Sequence, residues 1–489
     1  MTPILTLATL IFYVVILLLI TWFSGRRAKN SDYFVAGRSV KWYTASVAMI
    51  GAAMSGITFV SVPGAVANDG FSYMQMVLGF TVGQLVIAFV LIPVFYKMRV
   101  VSLYQYLDTR FGMMSHKSGA WLFFISKITI AALRLYVMSI VIQQLLFDYY
   151  DIPFAVNVVF TMAILWLSTR RGGVKSLIWT DTLKTLCLVG ALVLSVYFIA
   201  TTMGWSISDT CTKISDSQYS TMFTWSDTSS PKYFWKMFFA GLFTLVAMTG
   251  LDQDMMQCNL SCVNKRNAQI NIVITAVCQI FVILLFLILG AMLYIYSDVA
   301  GLTLPAKGDQ IFAFVAFEGG LPRIVGILFV LGLVASTYAS AASSITALTT
   351  SLTIDLMGGD KQKDEVKLTK TRKQNHTIIA VVVTLLILFA GELGNESVIN
   401  TMFKFVGYTY GPILGMFAFG MITPYKIRER YVPCIAILSL VFSVGIEWFM
   451  RVTYSYTIGF ELLIYNALFT FIGLGLLIVK KHNTHEKKL

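Results

Sequence analysis

Charge is scarce in this chain: Asp, Glu, Lys and Arg together make up 12% of its 489 residues, about half the share of an ordinary soluble domain. Hydrophobic residues fill 57% of it and the mean hydropathy is +0.76, so a water-soluble globule is excluded and a polytopic membrane protein is expected. Histidine is rarer still. The four histidines, His116, His376, His482 and His485, fall in or beside polar loops, which argues against an intramembrane haem or a histidine metal centre. Six cysteines are scattered, Cys187 and Cys278 inside apolar runs, and they supply neither a disulfide framework nor zinc spacing. Cys258 and Cys262 are the closest pair. No HExxH, GxSxG or P-loop pattern occurs, so nothing points to a membrane enzyme.

What is present is a series of apolar stretches of membrane-crossing length. They run roughly 4–23, 42–65, 72–98, 117–147, 153–170, 176–201, 233–257, 269–297, 321–356, 375–395, 398–423, 432–451 and 457–480, thirteen in all. The first is followed by GRRAKN without a small-residue cleavage site and reads as a retained span. The net charge of +13 is explained by the loops. Of 37 Lys and Arg residues, 27 fall in one alternate set of loops and 6 in the other. That asymmetry places the N-terminus outside and the C-terminus in the cytoplasm, and makes the run from Lys361 to Lys373 a cytoplasmic loop with no nucleic-acid role.

The remaining four, Lys127, Arg134, Lys184 and Lys404, lie within expected spans together with Asp181. Charges at that depth are costly and face an aqueous cavity or a partner, unless they snorkel to the surface or form a structural pair. The second span, IGAAMSGITFVSVPGAVANDG, is interrupted by Gly51, Gly56, Pro63 and Gly64. Unwound backbone in a membrane is tolerated where it lines a cavity, and its freed carbonyls suit a hard cation; close small-residue packing is the alternative. The ninth span crowds Ser336, Ser340, Ser343 and Ser344 into little more than two turns. Ser336, Ser340 and Ser343 share one face, as a sodium site built from neutral oxygens needs. Alternatively these hydroxyls bond back to their own helix.

These pieces resemble the sodium:solute symporters. The likeness covers nearly the whole chain and is carried by SDYFVAGRSVKWY (31–43), GGVKSLIWTD (172–181), LDQDMMQ (251–257) and the hydroxyl run through Asp355. It implies an all-α polytopic fold with the leucine-transporter-like inverted repeat of two five-helix units. The repeats would fall at 42–201 and 233–423. The 4–23 helix and the 432–480 pair would be peripheral, with a cytoplasmic tail at 481–489. The resemblance further implies a sodium site at Gly51, Met54, Ser336, Ala339 and Ser340, although Ala339 stands where the family usually has a hydroxyl. A second cation site, or its replacement, would involve Asp181, Lys184 and Ser343. Lys184 lies three residues beyond Asp181 on the same helical face and would supply the positive charge of a second sodium. Substrate contacts are implied at Ala53, Ser55 and Thr58, at Tyr73 and Gln75, at Phe243 and Thr244, and at Arg134. The last sits one turn from the arginine that holds a carboxylate in sialic acid carriers.

The expected function is therefore sodium-coupled import of a small polar solute by alternating access in the cell membrane, plasma or inner. The solute would be an organic anion or an acidic sugar such as sialic acid. Sodium and the lipid bilayer are the other partners, with no protein partner inferred. A neutral sugar or polyol symporter, a sodium-independent facilitator and a transporter-like sensor are the alternatives.

Overall fold

The computed structural model describes residues 3–26, 28–228, 230–393, 396–454, 458 and 461–479, with side chains described except at 3, 145, 360 and 393–407. The expected tail at 481–489 and the Lys404 side chain lie outside the described residues. The backbone is helical, with no strand among the described residues. Lipid offers no partner to a bare N–H or C=O, and a helix satisfies both within one segment.

The first half of the chain forms α1 (Pro3–Gly25), α2 (Asn30–Val35), α3 (Trp42–Ala53), α4 (Gly56–Asp69), α5 (Tyr73–Val86), α6 (Ile92–Met98), α7 (Gln105–Phe111), α8 (Met113–Ile142), α9 (Phe154–Thr169) and α10 (Val174–Thr202). The second half forms α11 (Ile207–Ser215), α12 (Phe234–Leu245), α13 (Gln253–Leu260), α14 (Lys265–Ala300), α15 (Ile311–Glu318), α16 (Arg323–Thr350), α17 (Glu365–Leu393), α18 (Glu396–Ile422), α19 (Val432–Tyr454) and α20 (Leu462–Leu476). Among the described residues eight helices are long and apolar enough to cross a membrane, or ten if each of two bent pairs is one span. Helices α9 and α20 are apolar but shorter, at 16 and 15 residues.

Both bent pairs are full breaks. Helices α3 and α4 meet at 60°, and α12 with its π-helical extension to Gly250 meets α13 at 68°. At the first break Met54 and Ser55 are extended, and the Ser55 hydroxyl restarts the helix by accepting from the Thr58 N–H at 3.2 Å. At the second, Asp252 is extended and its carboxylate caps α13 through the N–H groups of Asp254 and Met255. The interruption expected at Pro63 and Gly64 does not occur. Pro63 lies inside α4 without ending it. Gly64 instead permits a close backbone approach, because a Cβ there would come 2.2 Å from the Gly308 carbonyl oxygen.

Helix α16 is the centre of the bundle. In its most apolar window 83% of residues are buried, against 28% for α1 and 22% for α19. Helix α10 packs along α16, and α3 packs along α10, so the first break is pressed against the two helices that carry Asp181, Lys184 and the serine run. The outward faces of α1 and α19 expose Phe12, Trp22, Phe442 and Trp448, the apolar surface that a lipid-facing helix requires.

Candidate functional site

Three elements converge on the first break. A Cβ on Gly51 would come 2.3 Å from Thr185 Oγ1 and 2.8 Å from the Asp181 carbonyl oxygen, so only glycine lets α3 lie so close to α10. A Cβ on Gly56 would come 2.3 Å from Thr337 Oγ1 and 3.1 Å from Ser336 Oγ. The break therefore has α10 residues 181–185 on one side and α16 residues 336–337 on the other.

The oxygens of α16 divide into two sets. Ser336 Oγ donates to the Leu333 carbonyl at 2.9 Å, and Ser340 Oγ donates to the Ser336 carbonyl at 2.8 Å. Back-bonding and cation binding are compatible here, since a hydroxyl that donates to its own helix keeps its lone pairs for a cation. Ser340 uses one of them: it accepts a hydrogen bond from Lys184 Nζ at 2.7 Å. Ser343 behaves differently. Its hydroxyl donates to Asp254 Oδ1, and Ser344 donates to Asp254 Oδ2 at 3.1 Å. The structure thus brings Ser343 to Asp254: a buried carboxylate on the first turn of α13 captures the nearest hydroxyls of α16. Ala339, fully buried, adds no side-chain oxygen.

Lys184 and Asp181 make no hydrogen bond with each other. The two lie close enough to interact electrostatically, but the lysine is bonded to Ser340, and Asp181 Oδ1 is buried with no hydrogen-bond partner. The lysine is fully buried and the aspartate 4% exposed, so neither charge is relieved by bulk water.

A second charged cluster forms at the other break. Lys127 Nζ on α8 lies 2.9 Å from Asp252 Oδ2 and 2.7 Å from Asp254 Oδ2, all three groups buried. The Tyr410 hydroxyl on α18 donates to Asp252 Oδ2 at 2.6 Å. Sequence reasoning flagged Lys127 and missed both carboxylates. Their spacing, two acids flanking Gln253 at the end of an apolar span, was the available signal.

The expected solute contacts separate in the same way. Ala53, Ser55 and Thr58 sit half-buried at the first break, where Ser55 and Thr58 share a hydrogen bond of 3.0 Å. Phe243 and Thr244 are half-buried on α12, the helix packed against α5. Arg134 is half-buried in the C-terminal third of α8, close enough to Lys184 to interact with its charge. Gln75 is not brought to the break. It is fully buried beyond the far end of α4, about 20 Å along that helix's axis from its start. Its amide is spent on the loop before α12, donating to the Lys232 carbonyl at 3.0 Å and accepting from the Thr224 N–H at 3.2 Å. Tyr73, also at that end, packs edge-on against Phe80. A buried amide must satisfy all its polar atoms, and here the loop supplies the partners.

An all-helical membrane protein with two broken spans, each carrying polar groups at membrane depth, has the architecture of a secondary transporter. The chain belongs to the sodium:solute symporter family, whose sequence model matches residues 33–425. Members of the family are transporters, not enzymes, and sodium is their coupling ion. The sodium/sialic acid symporter SiaT of Proteus mirabilis (strain HI4320) is 26% identical over 428 residues, 85% of this chain and 84% of that one. The sodium-coupled monocarboxylate transporter 1 of Xenopus laevis is 24% identical over 416 residues, 82% of this chain, which spans 65% of the length of that relative. The solved substrate-bound, outward-open structure of a Na+-coupled sialic acid symporter matches with a TM-score of 0.81 at 20% identity, covering 96% of this chain and 97% of that one. That likeness shows the fold.

Proposed function

We propose that the chain is a sodium-coupled symporter that imports a small organic anion, a monocarboxylate or an acidic sugar, by alternating access around the first helix break. Arg134 carries this reading. Among the described residues its guanidinium has no hydrogen-bond or ion-pair partner, although it lies on a membrane-crossing helix near Lys184. An unpaired cation at that depth is costly unless it faces an aqueous cavity, and its planar fork suits a carboxylate. Two kinds of relative are named for sialic acid and for monocarboxylates, both carboxylate-bearing solutes.

For the cation we assign the oxygens of Ser336 and Ser340 together with backbone carbonyls at Gly51, Met54 and Ala339. Support comes from the chemistry of the donor set: the helix end at Ala53 frees carbonyls of its last turn from their i+4 partners, the Gly51 carbonyl accepting one bond from the Met54 N–H at 3.0 Å and keeping its second lone pair, and both hydroxyls donate to their own helix and so keep lone pairs for a cation. We also assign thirteen spans, N-terminus outside and C-terminus inside, in two five-helix repeats. Helices α9, α18 and α20 supply the three spans beyond the ten, and the uneven distribution of Lys and Arg among the loops supplies the orientation.

The test is labelled-solute uptake into vesicles with and without an imposed sodium gradient, with sialic acid, lactate and glucose as solutes. Sodium-driven uptake of an anion that falls tenfold or more in affinity in Arg134→Lys is the expected result, on the order of the 1.5–3 kcal/mol of a charge-assisted hydrogen bond. Uptake of glucose alone, or an Arg134→Ala variant of unchanged affinity, would refute the anion assignment.

A further inference from the structure

We infer that Lys184 sets the sodium affinity of this chain: its ammonium occupies the cation position at Ser340 when sodium is absent, and sodium enters by displacing it toward Asp181. This inference rests on the sodium assignment above. Lys184 is fully buried on α10, and its recorded hydrogen bond, of 2.7 Å, goes to the hydroxyl assigned to sodium. The Ser340 proton is given to the Ser336 carbonyl, so what Ser340 offers is a lone pair, the same group a sodium ion would take. Two monovalent cations cannot share that oxygen at close range without strong repulsion. The ammonium and sodium are therefore competitors for one position.

The displaced lysine has a place to go. Asp181 lies three residues earlier on α10, on the same face, and its Oδ1 is buried without a partner. Such an oxygen inside a protein costs free energy until something donates to it. The flexible four-carbon stem of lysine lets Nζ turn from Ser340 to that oxygen without moving the helix. The other charged groups that face Lys184 are Asp254 and Arg134. Asp254 is already held by Lys127, Ser343 and Ser344, and Arg134 repels the ammonium, so Asp181 is the acceptor left open. Gly51 packs against the Asp181 carbonyl and Thr185, which puts this exchange against the broken helix itself.

The experiment is a thermal-stability titration of the purified full-length protein with sodium chloride against choline chloride, at one pH and ionic strength and without solute. Wild type, Lys184→Gln, Lys184→Arg and the charge-balanced double variant Asp181→Asn/Lys184→Gln are compared. Removing the ammonium should lower the sodium concentration for half-maximal stabilisation tenfold or more in Lys184→Gln, and lower it in the double variant as well. Lys184→Arg, which keeps a cation there, should respond no better than wild type. A gain of sodium response by Lys184→Gln over an unresponsive wild type also supports the inference. Equal titration of wild type and both Gln-bearing variants overturns it while leaving sodium binding intact. The absence of a sodium response in every variant overturns it together with the sodium assignment, whereas the anion assignment is decided separately by uptake in Arg134 variants.

Discussion

Replacing Lys127 by methionine removes one ammonium and strands two carboxylates. At separations of 2.9 and 2.7 Å, each ion pair has a gross attraction of about 6 kcal/mol at an effective dielectric near 20. Desolvating three charged groups offsets most of that, so the intact cluster adds little net stability. The asymmetry appears when one member is removed: the cost is about 3–5 kcal/mol, because the remaining charges stay buried without compensation. Asp252 also caps α13, and its Oδ1 accepts from the Asp254 N–H at 2.7 Å, so local disorder at the second break should accompany the loss. By the usual scaling of melting temperature with stability for a chain of 489 residues, Lys127→Met should melt about 3–5 °C lower in detergent. The assay is intrinsic tryptophan fluorescence on the purified protein. Adding Asp252→Asn and Asp254→Asn should restore much of the difference, since neutral amides are cheaper to leave than carboxylates. A Lys127→Met protein melting within about 1 °C of the parent would refute the claim that this lysine compensates both aspartates.

Two further substitutions test the first break. Ser340→Ala should raise the sodium concentration needed for half-maximal uptake while leaving the melting temperature nearly unchanged, because a polar site admits water in place of a hydroxyl; overlaid sodium curves would refute the ligand assignment. Gly56→Ala should destabilise by about 1–3 kcal/mol, since its Cβ would meet Thr337 Oγ1. Adding Thr337→Ala should recover most of that loss in a double-mutant cycle of melting temperatures, and strictly additive losses would show that the contact is not the cause.

The helices were legible because lipid imposes a length and composition that a sequence displays directly. The region of the first break was legible too, since Gly51 and Gly56 interrupt an apolar run, but its position at Met54–Ser55 was not. That position depends on which glycine meets a neighbour: Gly64 has the same local look, and its role is set by Gly308, distant in the chain. The ion cluster was hidden for a related reason. Lys127 and Asp252 are 125 residues apart, and no local pattern reports which buried acid faces which lysine. Ser340 and Ser343 look equivalent on a helical wheel, yet one receives Lys184 and the other gives its proton to Asp254, a distinction fixed by how α16 is rotated against α10 and α13.

That rotation ties the two breaks together. Helix α16 presents Ser340 to the lysine beside the first break and Ser343 and Ser344 to the aspartate beside the second, within a single turn of about 6 Å. Asp181 and Asp254 are near enough to influence each other's charge. A cation at the site proposed at Ser340 would thus change the electrostatic balance at Asp254, and through Lys127 at the cap of α13, with no long-range conduit needed. The coupling is physical to the extent that α16 is rigid and fully packed, and its buried share is the highest of the long spans. Occupancy of the proposed cation site at one broken helix would then be felt at the other through one shared helix face, the kind of link that the proposed alternating access calls for.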